Sequence, residues 1–213
     1  MAIKVGVVSQ KGGVGKSTLA RTLGVEFARA EWEVLIADMD TSQSTSFAWN
    51  TRRLKNGIVP NVAIQQFHAV DKVLKSESIY DLIIFDGAPH ATRATEQIAL
   101  ISDLIVLPTG GAKDDLDPQI TLAHELRKAG VNRDKIVFVL SRMGNNDAEI
   151  NDVKEYVELA GYKVLDGKFQ EKTSYRQALD LGKALTETKF KSLNKNAKKI
   201  TLCIADFINA LNK

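Results

Sequence analysis

Short apolar runs along the chain alternate with segments whose apolar residues recur at helical spacing. Runs with so few polar residues are typical of strands that are buried on both faces of a sheet. They occupy residues 3–8, 34–37, 62–67, 82–85, 104–107 and 136–140. The pattern therefore predicts six strands, with room for a helix between each strand and the next.

The intervening segments carry helix signals. Leucine or phenylalanine stands at every fourth position from 19 to 27, which gives one apolar helix face. Asp117 and Pro118 predict the cap and first position of a helix that Gly130 ends, and Asp147 and Gly161 bound another. The stripe of the last predicted helix consists of Ile200, Cys203, Ile204, Phe207, Ile208 and Leu211.

Continuously apolar strands separated by helices predict a mostly parallel, twisted sheet with helices on both faces. No repeat, linker or low-complexity segment interrupts the pattern. We therefore expect a single α/β domain over residues 1–213.

Composition narrows the class of protein. The chain has 213 residues, of which 44% are apolar and 26% charged, as in ordinary globular proteins. It has no apolar run long enough for a transmembrane helix, and its first residues lack a signal peptide's apolar core. The single cysteine, Cys203, allows neither an internal disulfide nor a multi-cysteine metal site. These features favour a cytoplasmic protein.

A glycine-rich loop between the first strand and the first helix carries the clearest chemical signal. Its glycines let backbone N–H groups surround phosphate oxygens, and the helix N-terminus adds a positive dipole. Lys16 suits the β- and γ-phosphates, and the Ser17 hydroxyl suits Mg²⁺. The residues expected to bind nucleotide are Gly12, Gly13, Val14, Gly15, Lys16, Ser17 and Thr18. The loop indicates a P-loop NTPase-like fold.

The loop differs from the general pattern G-x-x-x-x-G-K-S/T because Gln10 replaces the first glycine, and it matches K-G-G-x-G-K-S/T. On this signature the chain resembles the ParA/MinD group of ATPases over nearly its whole length, in the small form without an N-terminal repressor domain. The resemblance implies hydrolysis of ATP to ADP and phosphate. It also implies a homodimer that sandwiches two ATP molecules, with Lys11 reaching the partner's nucleotide.

Three aspartates follow predicted strands at the sheet edge where nucleotides bind. Asp38 and Asp40 follow the second strand, and Asp86 follows the fourth. The resemblance implies that Asp40 orients or activates the attacking water, and that Asp38 and Asp86 support Mg²⁺. Taken singly, each aspartate could instead cap a helix.

Two loops depart from the family pattern or leave their role open. The family often reads D-x-D-P-Q, whereas Thr41 and Ser42 follow Asp40 here and Gln43 comes one residue late. The geometry of this first switch loop therefore stays open. His90, in the expected second switch loop, could sense the neighbouring site or be an ordinary loop residue.

Residues after the fifth and sixth strands lie where a nucleotide base would rest. The resemblance implies that Pro108, Arg142 and Met143 border adenine. Ordinary turn chemistry explains the same residues equally well.

The C-terminal fifth of the chain is basic. Residues 172–213 contain nine Lys and Arg against three Asp and Glu, a net charge of +6, whereas the other 171 residues contain 20 and 23, a net charge of −3. A solvated helix surface and a polyanion-binding face both explain this bias. The resemblance implies non-specific DNA binding through Lys172, Arg176, Lys183, Lys189 and Lys191.

The resulting hypothesis is a nucleoid-associated ATPase that partitions a plasmid, a chromosome or another large cargo. Its ATP-bound dimer would bind DNA, and a ParB-like or other cargo adaptor would stimulate hydrolysis. One alternative is a MinD-like ATPase whose last helix lies on a membrane, although packing of that helix against the body is the simpler expectation. Another is a metabolic P-loop enzyme similar to dethiobiotin synthetase.

Overall fold

A computed structural model describes residues 1–90 and 93–211. Within them, seven parallel strands form one sheet in the order β3-β2-β4-β1-β5-β6-β7. The strands are β1 (Ile3–Val7), β2 (Val34–Asp38), β3 (Ala63–Gln66), β4 (Leu82–Asp86), β5 (Leu104–Thr109), β6 (Ile136–Met143) and β7 (Lys163–Gln170). The predicted fold class is confirmed, and the sheet is parallel throughout.

Helices connect the strands and cover both faces of the sheet. Those in the described ranges are α1 (Lys16–Arg29), α2 (Thr45–Lys55), α3 (Val70–Leu74), α4 (Arg93–Ile101), α5 (Lys113–Lys128), α6 (Asp147–Leu159), α7 (Thr173–Asp180) and α8 (Lys191–Leu211). Short 3₁₀ turns at Arg133–Lys135 and Leu185–Glu187 precede β6 and α8.

The apolar pattern does not predict β7. This strand lies at the edge of the described sheet, next to β6, and mixes buried and exposed side chains. Polar residues at 163, 166, 168 and 170 interrupt it, so it has no apolar run of the kind that identifies most of the other strands.

The apolar run predicted that the fifth strand ends before Pro108. In the structure, β5 runs on to Thr109. Proline cannot donate to a sheet ladder. At this position, however, the neighbouring β1 has already ended, and the Pro108 carbonyl accepts a hydrogen bond from the Gln119 side chain at 2.8 Å. The proline is tolerated because its backbone faces the side of β5 on which β1 has already ended, so no strand there requires its N–H group.

Two predicted helix starts need correction. The helix expected from Asp117 begins at Lys113, so that Pro118 lies inside α5, and acidic residues occupy its first turn. The cap of α6 is Asn146 rather than Asp147, because the Asn146 side chain accepts hydrogen bonds from the second and third N–H groups.

The last helix packs on the body of the protein. Ile200, Ile204 and Ile208 are completely buried, and Cys203 and Phe207 pack against the same core. The side chain of Leu211 lies outside the described residues. The predicted apolar stripe thus faces the sheet, on a helix that begins nine residues before Ile200, at Lys191.

The two faces of the sheet carry helices of opposite charge. The core beneath one face includes residues of α1, α2, α7 and α8, and the other core includes residues of α3, α4, α5 and α6. The first four helices hold eleven Lys and Arg against three Asp and Glu, a net charge of +8. The second four hold six against eleven, a net charge of −5. We call these the basic face and the acidic face.

Among the described helices, none has the length and apolar character needed to cross a membrane.

Candidate nucleotide-binding site

The glycine-rich loop joins the end of β1 to the start of α1. Gly13 and Gly15 have φ angles of 78° and 100°, in the left-handed region that favours glycine. A Cβ on Gly15 would lie 2.5 Å from the Ser141 hydroxyl oxygen, so only glycine fits there. Gly15 caps α1 without a side-chain hydrogen bond, which leaves the first N–H groups of the helix available to an anion.

Lys16 lies inside this loop. Its Nζ donates to the carbonyl of Lys11 at 3.0 Å, and the residue is only 7% exposed. Burial lowers the pKa of Lys16, and the negative charges of Asp86 and Asp40 oppose that shift. The loop thus holds a cation with little water around it, where phosphate oxygens would be attracted strongly.

Asp86 is the centre of a buried polar network. Ser17 and Ser46 each donate to its carboxylate, at 3.1 and 2.7 Å, and Nε of Arg21 donates to Ser46 at 3.0 Å. Burial raises the pKa of Asp86 to about 6, although hydrogen bonds and the Arg21 charge oppose the shift. The buried Nη2 of Arg21 has no hydrogen-bond partner among the described residues.

The N-terminus of α2 holds Asp38. The Asp38 carboxylate is fully buried and accepts backbone N–H groups of Asp40, Ser46 and Phe47 at 3.2 to 3.3 Å. Burial raises its pKa, and these backbone hydrogen bonds limit the rise. Strand β2 and helix α2 are therefore joined through one carboxylate.

Asp40 organises the first switch loop. Its carboxylate accepts the Ser42 hydroxyl at 2.6 Å and the Gln43 backbone N–H at 3.2 Å. Ser42 thus closes a turn in the segment where the family often has proline and glutamine, while Gln43 takes part through its backbone. In the second switch loop, the His90 N–H donates to the Gln10 carbonyl at 3.1 Å, and this contact joins it to the phosphate loop.

Lys11 forms an ion pair within its own chain. Its Nζ lies 2.8 Å from the Asp115 carboxylate at the start of α5, and the Lys11 side chain is 40% exposed. The lysine is thus outside the cluster formed by Lys16, Asp38 and Asp86.

A cleft of about 110 Å³ lies beside the loop, where a nucleotide base could rest. Gly15 and Thr18 line one wall, and Ser141 and Arg142 at the end of β6 line another. Of the three residues expected near adenine, only Arg142 lines this cleft. Pro108 and Met143 are buried in β5 and β6, so their expected contact with the base stays a prediction.

Comparison with known proteins identifies the family. The model of the CobQ/CobB/MinD/ParA nucleotide binding domain matches residues 5–185 of the chain. The chain belongs to this family.

Several known proteins are similar to this ParA/MinD-type ATPase. Protein ParA of Rhizobium radiobacter is 24% identical over 194 residues, which cover 88% of this chain and 87% of that protein. The maintenance of carboxysome distribution protein A of Gloeobacter kilaueensis is 31% identical over 121 residues, which cover 56% and 55%. The cell division ATPase MinD of Pyrococcus furiosus has the same fold, with a TM-score of 0.76 at 19% identity over 97% of this chain and 99% of that one.

The side chains of this ATPase fit a magnesium ion. Ser17, Asp38 and Asp86 offer hydroxyl and carboxylate oxygens, which are the ligands that Mg²⁺ prefers. Asp86 and Asp38 are buried with their pKa raised, so a cation would relieve the burial of their negative charge.

The sequence alone did not identify three residues of the site. Ser46 and Arg21 form the network around Asp86, and Gln119 accepts the Gln10 N–H at 3.0 Å while its amide donates to Pro108. A serine or arginine on a helix, or a glutamine in α5, carries no local signal, because each acts through a residue distant in the chain.

The predicted DNA-binding residues lie on the basic face and beside the cleft. Lys172 and Arg176 line the cleft itself, and Arg176 is also paired with Glu171 at 3.2 Å. Lys183 and Lys189 flank the 3₁₀ turn before α8, and Lys191 begins α8.

Proposed function

We propose that this ATPase partitions DNA or another large cargo by binding DNA in its ATP-bound, dimeric state. The observation that carries the proposal is the position of the basic residues. Lys172 and Arg176 line the cleft that Gly15 and Thr18 also line, so that nucleotide and DNA-binding charge would share one neighbourhood.

The site residues would divide the chemistry among them. The loop N–H groups and Lys16 bind the β- and γ-phosphates, and Ser17, Asp38 and Asp86 hold Mg²⁺. When bound, Mg²⁺ would neutralise charge on the phosphate oxygens. Asp40 orients the attacking water, since it is the aspartate of the site that lies on the switch loop rather than in the sheet.

Closure of the dimer would require Lys11 to change partners. In the structure Lys11 is paired with Asp115, and in the dimer it would contact the nucleotide of the other subunit. Both side chains of this ion pair are partly exposed, so breaking it costs little free energy.

The cargo would be connected through a ParB-like or other adaptor protein that stimulates hydrolysis and releases the ATPase from the nucleoid. The similarity to Protein ParA of Rhizobium radiobacter supports a partition role, and the carboxysome distribution relative supports a protein assembly as cargo. A MinD-like membrane role is less favoured, because the apolar stripe of α8 is buried in the core.

Binding to non-specific duplex DNA tests the proposal. It should be measured without nucleotide, with ADP and with a slowly hydrolysed ATP analogue, at two salt concentrations. We expect binding with the ATP analogue that weakens steeply with salt, because each phosphate contact contributes a slope of about −0.9 in log K against log salt. The variant Lys172→Ala/Arg176→Ala should bind less tightly and with a smaller slope.

The matched control is Lys72→Ala/Lys75→Ala, which removes two exposed cations in and just after α3, on the acidic face. It should bind DNA as the wild type does. If protein that binds ATP does not bind DNA in any nucleotide state, the DNA-partition proposal is wrong.

A further inference from the structure

Helix α2 lies on the basic face although it is distant in sequence from the basic C-terminal region. Its eleven residues include Arg52, Arg53 and Lys55 and no acidic residue. It contributes +3 to the +8 of the basic face, as much as the longer α8. A polyanion attracted to this face would therefore meet α2 as well as the C-terminal elements.

Hydrogen bonds hold α2 against the segment that carries Lys183. The indole N–H of Trp49 donates to the Lys183 carbonyl at 3.1 Å, and the guanidinium of Arg53 donates to the Gly182 carbonyl at 3.1 Å. Asn56, which caps the helix, donates to the Leu181 carbonyl at 2.9 Å. The last turn of α2 and residues 181–183 therefore form one continuous surface.

The three cations of α2 have different roles. Arg53 is completely buried and forms two hydrogen bonds with the Glu187 carboxylate, at 2.7 and 3.0 Å. Arg52 and Lys55 are exposed, and neither has an ion-pair partner in residues 1–90 and 93–211. Of the three, therefore, Arg52 and Lys55 are the charges that an external anion can reach.

We propose that Arg52 and Lys55 bind the phosphate backbone of DNA, together with Lys183 and the cations that follow it. The proposal rests on the proposed DNA-binding function and extends it to a helix outside the C-terminal region. Phosphate contacts require positive charge at the surface and no base-reading geometry, which these two side chains provide.

The same helix is joined to the nucleotide site at its other end. The N–H groups of Ser46 and Phe47 hold Asp38, and the Ser46 hydroxyl holds Asp86. Because α2 is a single helix of about 16 Å, one element carries both the hydrogen bonds to Asp38 and Asp86 and the two exposed cations. A change at the nucleotide site that displaced α2 would therefore reach Arg52 and Lys55.

The experiment compares Arg52→Gln/Lys55→Gln with Lys72→Gln/Lys75→Gln, which removes the same charge from the acidic face. Glutamine keeps helix propensity and polarity. With the ATP analogue at 0.1 M salt, the first variant should bind duplex DNA roughly tenfold or more weakly, with a salt slope smaller by about 0.9 for each DNA phosphate that is no longer neutralised. The second should match the wild type. Arg52→Lys/Lys55→Arg keeps both charges and should also match it.

Several outcomes would overturn the proposal. Equal DNA affinity of wild type and Arg52→Gln/Lys55→Gln means that α2 does not contact DNA, while the proposed function stands. Equal losses in both glutamine pairs mean that only total charge matters. Wild-type protein that binds ATP but not DNA removes both proposals together. Thermal melting checks the fold, and if the double variant melts early, the single variants Arg52→Gln and Lys55→Gln replace it.

Discussion

At the scale of single residues, the site holds ionisable side chains in positions that water does not reach. Asp86 is almost completely buried, and its pKa rises to about 6 from an ordinary value of 3.8. The ionised carboxylate therefore destabilises the nucleotide-free fold. A bound cation or a proton would remove that cost.

The pH dependence of stability follows from this shift. The folded protein binds the Asp86 proton more tightly than the unfolded chain, so stability falls as pH rises from about 4 to about 6. The shift corresponds to a difference of the order of 3 kcal/mol, and the Asp86→Asn variant should lack this component. Thermal melting at pH 4.5 and pH 8, without nucleotide or metal, measures it.

Between pH 4.5 and pH 8 the stability of the Asp86→Asn variant should rise relative to that of the wild type. At low pH the Asp86→Asn variant and the wild type should have similar stability, because protonated Asp86, like asparagine, offers one accepting oxygen and one donating group to the two serines. A constant difference between the two proteins across this pH range would contradict the assigned burial.

At the scale of elements, a buried ion pair joins α2 to the turn before α8. Arg53 is completely buried, whereas Arg29, which binds the same Glu187, has a side chain that is 42% exposed. Breaking a buried pair typically costs about 3–5 kcal/mol, and losing an exposed one costs about 1 kcal/mol or less. Arg53→Met should therefore destabilise the protein far more than Arg29→Met.

Urea unfolding of the two variants measures this difference. Equal losses of unfolding free energy would mean that Arg53 is not a structural link between α2 and the C-terminal segment. The close approach of Gly182, where a Cβ would lie 2.3 Å from the Arg53 backbone nitrogen, leaves little room for compensation.

The sequence predicted those elements whose signals are local. Strands β1 to β6 each contain or border a short, mainly apolar run, and the loop at Lys16 and the aspartates at strand ends are identified by their neighbours in the chain. Strand β7 was missed because polar residues at 163, 166, 168 and 170 interrupt its apolar residues. The Arg53–Glu187 pair was missed because it spans 134 residues, and the network of Ser46 and Arg21 exists only when α1, α2 and β4 meet.

At the scale of the whole molecule, the proposed cycle depends on a dimer that hydrolysis opens. Asp40→Ala should bind ATP, because Lys16 and the loop are unchanged, but hydrolyse it slowly. Such a protein should accumulate as a dimer with ATP, which light scattering after size-exclusion chromatography detects. Hydrolysis at the wild-type rate would show that Asp40 does not orient the attacking water.

The opposite charges of the two faces also matter before any contact is made. A net charge of +3 gives only weak attraction to a polyanion. The helices on the two faces, however, hold +8 and −5, so their charges form an electric dipole directed across the sheet. Within about 10 Å of a polyanion at 0.1 M salt, this dipole experiences a torque that turns α2 and α8 toward the polyanion. The orientation of the protein as it approaches, more than its total charge, would then govern how often an encounter becomes a complex.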